Sequence, residues 1–117
     1  MNKLTRILKA LSDETRLRIL NMLFERECCV CELLQVLEIS QPRASHHLSI
    51  LYAAGLLKLR RQGLFSNYSI DWENMDDYAV DLVKAAHKGL AGNLLAQDDL
   101  KKLASAERIL PQCAQPV

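Results

Sequence analysis

Aromatic side chains are scarce in this 117-residue chain, which holds two Phe, three Tyr and one Trp. With Leu and Ala plentiful, that composition leans towards helix. No apolar run is long enough to span a bilayer, and no secretory h-region is recognisable, so a cytoplasmic protein with no membrane partner is expected. Half of the residues are apolar, which suits one domain with a modest core. Cysteine is also limited. There are four, and Cys28, Cys29 and Cys31 crowd into four positions while Cys113 stands alone near the end. Three thiols that close together cannot staple distant elements, which excludes a disulfide framework and leaves metal, metalloid or redox chemistry.

Acidic residues are missing altogether from positions 39–70, which carry Arg43, Lys58, Arg60 and Arg61. The flanks differ: residues 1–38 hold six basic and six acidic side chains, and residues 71–117 hold five and eight. A net charge of +1 therefore conceals a cationic island. Such a run is either a solvated face or a nucleic-acid footprint, and the surrounding pattern decides between them.

What is present is a series of short amphipathic segments. Leu4, Ile7, Leu8 and Leu11 recur at helical spacing over 3–11. Ser12-Asp13-Glu14 reads as a cap and acidic first turn for a second helix carrying Leu17, Leu20, Met22, Leu23 and Phe24. Cys29-Val30-Cys31-Glu32 has the form of a capping box with Cys in the cap slot, which predicts a helix at about 30–37. Ser40-Gln41-Pro42 opens another, with Ala44, Leu48 and Leu51 inward and Gly55 as its stop. Two short helices separated by Glu38-Ile39-Ser40 match a helix-turn-helix. From Leu56 the period becomes two, turning at Gln62-Gly63 and running on through Phe65–Ile70, which is a β-hairpin. A further helix spans about 75–90, and a last short one starts at Asp98. The predicted fold is mostly α with a small β-hairpin, a winged helix-turn-helix. Residues 1–92 form the DNA-binding and dimerisation domain, and 93–117 form a C-terminal tail.

In a helix-turn-helix the second helix enters the major groove by its N-terminal half. With Ala44, Leu48 and Leu51 inward, Ser40, Gln41, Arg43, Ser45, His46 and Ser49 become candidate DNA contacts. Gln suits adenine, Arg suits guanine, and Ser suits bases or phosphate. His47 lies beside the buried stripe and reads as a satisfied, partly buried histidine. Lys58, Arg60, Arg61 and Gln62 line the hairpin, where they can meet phosphate or the minor groove of double-stranded DNA. One small domain makes few base contacts, so a homodimer through the terminal helices is expected.

The stretch ECCVCELL followed by SQPRASHHLSILYAAGLLKLRRQGLFSNYSI resembles the ArsR/SmtB family of metalloregulatory repressors, and within it the arsenite-responsive members. The resemblance covers about residues 3–90. It implies a winged-helix homodimer that represses from its operator and is released by an inducer, As(III) or Sb(III). The family's E-x-C-V-C-[DE]-L string places a thiol pair on Cys29 and Cys31. A third cysteine common beyond that pair falls here on Leu34. The remaining ligand is therefore open between Cys28, Cys113 and none. The D-x-H…H pattern of zinc sensors is not met by Asp81 and His87, and no cysteine precedes Cys28, unlike in cadmium and lead sensors.

Physically, Cys29 in a cap slot can fold its sulfur towards Cys31. A helix N-terminus favours the thiolate that binds soft ions. Three sulfurs, Cys28, Cys29 and Cys31, suit a trivalent metalloid better than a closed four-ligand zinc site. Ligation is expected to strain the first helical turn and move the recognition helix, a coupling of a few kcal/mol. Other readings are a soft divalent metal (Cd, Zn, Pb) or thiol oxidation as the signal, and an interaction module without DNA binding. Cys28-Cys29-Val30-Cys31 also scans as an oxidoreductase C-x-x-C. That motif needs an α/β frame, which is absent, so no enzyme is expected.

Overall fold

The structure, a computed structural model, describes residues 2–108. Six helices surround a small sheet: α1 (Asn2–Leu11), α2 (Glu14–Glu25), β1 (Cys28–Cys29), α3 (Val30–Leu37), α4 (Gln41–Ala53), β2 (Leu57–Gln62), β3 (Phe65–Ile70), α5 (Asp77–Gly89) and α6 (Leu94–Ala104). The winged helix-turn-helix is therefore present, with one strand, β1, that the sequence pattern did not reveal.

Local signals set most boundaries. Asp13 caps α2 by accepting from the Arg16 N–H at 3.0 Å, and Ser40 caps α4 by accepting from the Arg43 N–H at 3.3 Å, with Pro42 in the first turn. Both satisfy amide donors that a helix start leaves without partners. α3 ends at Glu38, which adopts φ 55° and returns its N–H to the Leu34 carbonyl. That left-handed residue makes the tight corner between α3 and α4.

The hairpin pairs Leu57 with Ile70 through Gln62 with Phe65, leaving Gly63 and Leu64 as a two-residue turn. Gly63 supplies the positive φ, 60°, that such a turn requires. The sheet has a third strand. β1 pairs antiparallel with β3, Cys28 opposite Tyr68 and Cys29 opposite Asn67, giving the order β1-β3-β2. The expected hairpin is thus the larger part of a three-stranded sheet, and the two adjacent cysteines are strand residues.

Ile7, Ile19, Met22, Leu33, Leu48, Leu51, Leu56 and Leu103 are fully buried and draw on every layer except the wing tip. Truncating one of these to Ala costs about 2–5 kcal/mol. On α1 only Ile7 and Ala10 are buried, while Leu4 and Leu8 stay exposed. α5 likewise buries Ala79 and Val83 and exposes Tyr78.

The last helix begins at Leu94, earlier than the Asp98 start expected from sequence, because Asn93 caps it by accepting from the Ala96 N–H at 3.0 Å. α6 packs on α2 and α3. Asp99, fully buried, receives both Nε and Nη2 of Arg18 at 2.8 Å. Asn21 donates to the Ala96 carbonyl at 3.3 Å. A bidentate pair of this kind fixes orientation as well as energy.

Candidate DNA-reading face and thiol pair

α4 is amphipathic in the expected sense. Ala44, Leu48 and Leu51 are buried, Arg43, His46 and Ser49 are exposed, and Gln41 and Ser45 are half-buried at the helix start. Ser40 spends its hydroxyl on the cap. Ser49 donates to the Ser45 carbonyl at 2.8 Å. His47 is half-buried at the inner edge. Its Nδ1 lies 3.2 Å from Arg16 Nη1 and 3.7 Å from Asp13. Arg16 also donates to the Lys9 and Ala10 carbonyls that end α1. Through Arg16, the seat of α4 is thus joined to the α1–α2 corner. Burial lowers the His47 pKa, which favours the neutral ring, with Nδ1 accepting from Arg16.

The wing is less cationic in space than along the chain. Arg60 forms a forked pair with Glu27, at 2.6 and 3.2 Å. Lys58 lies 3.5 Å from Glu73. Arg61 donates to the Ser66 hydroxyl at 3.3 Å, and Gln62 Oε1 accepts from Asn67 and Arg108, both at 3.2 Å. Among the described residues no carboxylate is ion-paired with Arg43 or Arg61. Glu27 and Glu73 lie outside the acid-free segment and could not be placed against it from sequence.

The three clustered cysteines are all buried but do not share one site. Successive strand residues point to opposite faces. Cys28 accordingly joins the main core, while Cys29 and Cys31 form a separate cluster with Phe65. Cys28 Sγ lies 3.4 Å from the Arg26 carbonyl. Cys28 precedes α3 and pairs with Tyr68. Among the described residues no three potential metal-binding side chains converge. Cys113 lies outside the described residues. Cys31 is engaged in a disulfide, whereas Cys28 and Cys29 are not disulfide-bonded.

The capping box is present with Cys29 in the cap slot. The Glu32 N–H points to the Cys29 sulfur, and Glu32 Oε1 accepts from the Cys29 N–H at 2.9 Å. Glu32 is buried and bonds Arg26 at 2.8 Å; burial opposes its ionisation, but Arg26 and the Cys29 N–H outweigh this and hold its pKa below the ordinary value. The end of the described chain covers the pair. Gln35 donates to the Glu107 carbonyl and accepts from the Glu107 N–H. The Arg108 guanidinium sits 5.2 Å from the Phe65 ring centroid, and Cys31 Sγ lies 3.9 Å from the Glu107 carbonyl.

Two expectations are overturned here: no disulfide is expected of the clustered cysteines, yet Cys31 is engaged in one, and the ionisation of the others is not as expected. The thiols are not poised as thiolates by the helix start. Burial pushes Cys28 up to about 12, and burial pushes Cys29 upward as well, with the neighbouring Glu32 carboxylate opposing the help of its N–H. Desolvation of a charge exceeds what one helical turn of dipoles returns.

A helix-turn-helix with a basic wing, followed in space by a capped thiol pair, has counterparts among known proteins. The family described as bacterial regulatory protein, arsR family, matches residues 13–59. The arsenical resistance operon repressor of Staphylococcus xylosus is 36% identical over 91 residues, 76% of this chain and 88% of that protein. The chain belongs to the arsR family. It is a DNA-binding transcriptional repressor and not an enzyme. A cadmium resistance regulatory protein CadC homologue from Staphylococcus aureus is 40% identical over 82 residues, 69% of this chain and 64% of that protein. Among solved structures, HlyU from Vibrio cholerae superimposes with a TM-score of 0.66 at 31% identity, over 77% of this chain and 94% of that one.

For an arsR-family repressor, the matched span runs from the cap of α2 through the first residues of the wing and so contains both the thiol pair and the reading helix. The side chains surrounding the pair were not evident from sequence. Phe65 comes from β3, Arg108 follows α6, and Gln35 faces Glu107 across 72 positions. Glu32 alone carried a signal, through its capping-box spacing.

Proposed function

We propose that this arsR-family repressor answers to trivalent arsenic or antimony bound through Cys29 and Cys31, and that it acts as a homodimer on double-stranded operator DNA. The observation that carries the reading is the placement of two sulfurs in one apolar cluster at the cap of α3, the helix immediately before the reading helix. Soft sulfur ligands select soft, thiol-seeking ions. Cys28 faces the main core, so drawing it in as a third ligand requires β1 to unpair from Tyr68. When bound, the metalloid supplies a covalent bridge between the sulfurs. The chain's own part is to hold Cys29 at the cap through Glu32 and to hand any strain there to α4 across the Glu38 corner.

The exposed Leu4, Leu8 and Tyr78 on α1 and α5 are the proposed dimer surface, which would set two reading helices about one DNA turn apart. Arg43, Gln41, Ser45, His46 and Ser49 read the major groove. Arg61, with Lys58, Arg60 and Gln62, meets the backbone, and Ser40 fixes the helix start.

The test is operator binding by the fully reduced protein, titrated with arsenite, antimonite, cadmium, zinc, lead and peroxide. Release by the trivalent metalloids, lost in Cys29→Ser and Cys31→Ser and kept in Cys28→Ser, is the expected result. Ser is a favoured cap residue, so Cys29→Ser removes the sulfur without removing the helix start. Unchanged operator affinity at saturating arsenite overturns the reading. A second reading, in which thiol oxidation is the signal, is favoured by the disulfide at Cys31 and predicts that peroxide alone releases DNA.

A further inference from the structure

The thiol cluster has a buried polar neighbour, one atom of which has no hydrogen-bond partner among the described residues. Asn67 stands directly opposite Cys29 in the β1–β3 pairing. Opposed residues in antiparallel strands project to the same face with their Cβ atoms about 5 Å apart. The Asn67 side chain is therefore beside the Cys29 sulfur, on the face that also holds Cys31 and Phe65. It is completely buried. Its Nδ2 donates to Gln62 Oε1 at 3.2 Å. Its Oδ1 is buried and has no hydrogen-bond partner among the described residues. A buried acceptor without a donor costs about 1–3 kcal/mol, so an Asn at this position is suited to accept from a donor on a group bound beside it.

We propose that Asn67 is a specificity-determining residue of the inducer site, its Oδ1 accepting from a hydroxyl that the metalloid retains after binding Cys29 and Cys31. This rests on the metalloid reading above. Once a dithiol reductant such as dithiothreitol has returned Cys31 from its disulfide to the thiol, supplying two electrons and two protons, the condensation itself involves no further change of oxidation state. Arsenous acid, As(OH)3, condenses with two thiols. Two As–S bonds form, two As–O bonds break, and two waters leave carrying the thiol protons. One As–OH remains, and it is a donor. The site then needs two sulfurs rather than three, in keeping with Cys28 pointing into the main core. That hydroxyl would give Asn67 Oδ1 a donor.

The experiment compares two probes on the fully reduced protein by direct binding, without DNA. Arsenite leaves a hydroxyl on the bound arsenic. Phenylarsine oxide, bound by the same two thiols, leaves a phenyl group and no hydroxyl. Asn67→Leu removes the acceptor and keeps the volume, and Asn67→Asp keeps an acceptor. The expected result is that Asn67→Leu weakens arsenite about three- to tenfold, the worth of one hydrogen bond, while phenylarsine oxide binds as in the parent. Asn67→Asp should bind arsenite more tightly than Asn67→Leu. Equal losses for both probes would reduce Asn67 to a structural role and overturn the proposal, as would no loss for either. Should Asn67→Leu not fold, Asn67→Ser and Asn67→Ala give the same comparison. If the parent binds neither probe, the metalloid reading itself has failed. If it binds both and the variants do not discriminate, only the role of Asn67 has.

Discussion

The reading helix and the wing look alike in sequence and differ in space. Both belong to a stretch with no acidic residue, and both carry cations facing outward. On α4, Arg43 is exposed with no carboxylate paired to it among the described residues. On the wing, Arg60 is held by Glu27 and Lys58 by Glu73, from outside the stretch. A cation already paired must exchange one anion for another to bind phosphate, and that exchange gains less than neutralising a free charge. Charge counted along the chain thus overstates what the wing offers and describes the helix correctly. The division matches the chemistry: contacts that specify a base should be available, whereas contacts that position the backbone can be traded.

The comparison can be broken most directly at Arg43. Arg43→Ala should weaken operator binding by about 1–3 kcal/mol, seen by fluorescence anisotropy as a loss that shrinks on non-specific DNA. A smaller loss than that from any wing cation would invert the ranking. Next comes Arg61→Ala, which should weaken specific and non-specific binding alike and lower the salt dependence by about one ion. Arg60→Ala should change that slope by less, because Arg60 begins in a pair. Smaller still, Glu27→Gln should free Arg60 and raise affinity by about two- to threefold, and a decrease would show that the pair itself shapes the wing.

Acidification separates the two regions by the least. His47, under the reading helix, has its pKa lowered by burial. A histidine of that kind contributes stability fully above its ordinary pKa and loses it as pH falls through the lowered value. Glu27 has its pKa lowered by Arg60, so the wing pair keeps its contribution above the ordinary carboxylate range and loses it only at more acid pH. Between pH 7 and 5 the melting temperature should therefore fall through His47. The fall should be shallower in His47→Gln and unchanged in Glu27→Gln.

The elements that were legible are those whose signals are local. The Ser40 cap, Pro42, the stripe Ala44-Leu48-Leu51 and the Gly55 stop all lie within one helix and its ends, and each has its expected role. The Cys29-to-Glu32 box was readable for the same reason. What could not be read depends on separation. β1 exists because Cys28 and Cys29 meet β3 about 40 positions later. The cover over the thiol pair is built from residues more than 70 positions away. The thiol ionisation was misjudged because a helix start is a local feature and burial is not.

From sequence alone came the order of helices, the outward-facing side chains of α4 and the two sulfurs at the cap of α3, since caps, helical faces and turns are decided by neighbours a few positions apart. Only the folded chain decided that Cys28 turns away from its neighbours, that two of the wing's three cations are paired, and that Asn67 stands opposite Cys29 with an oxygen unpartnered among the described residues. Each of these is set by which strand or carboxylate arrives from elsewhere, and packing alone determines that.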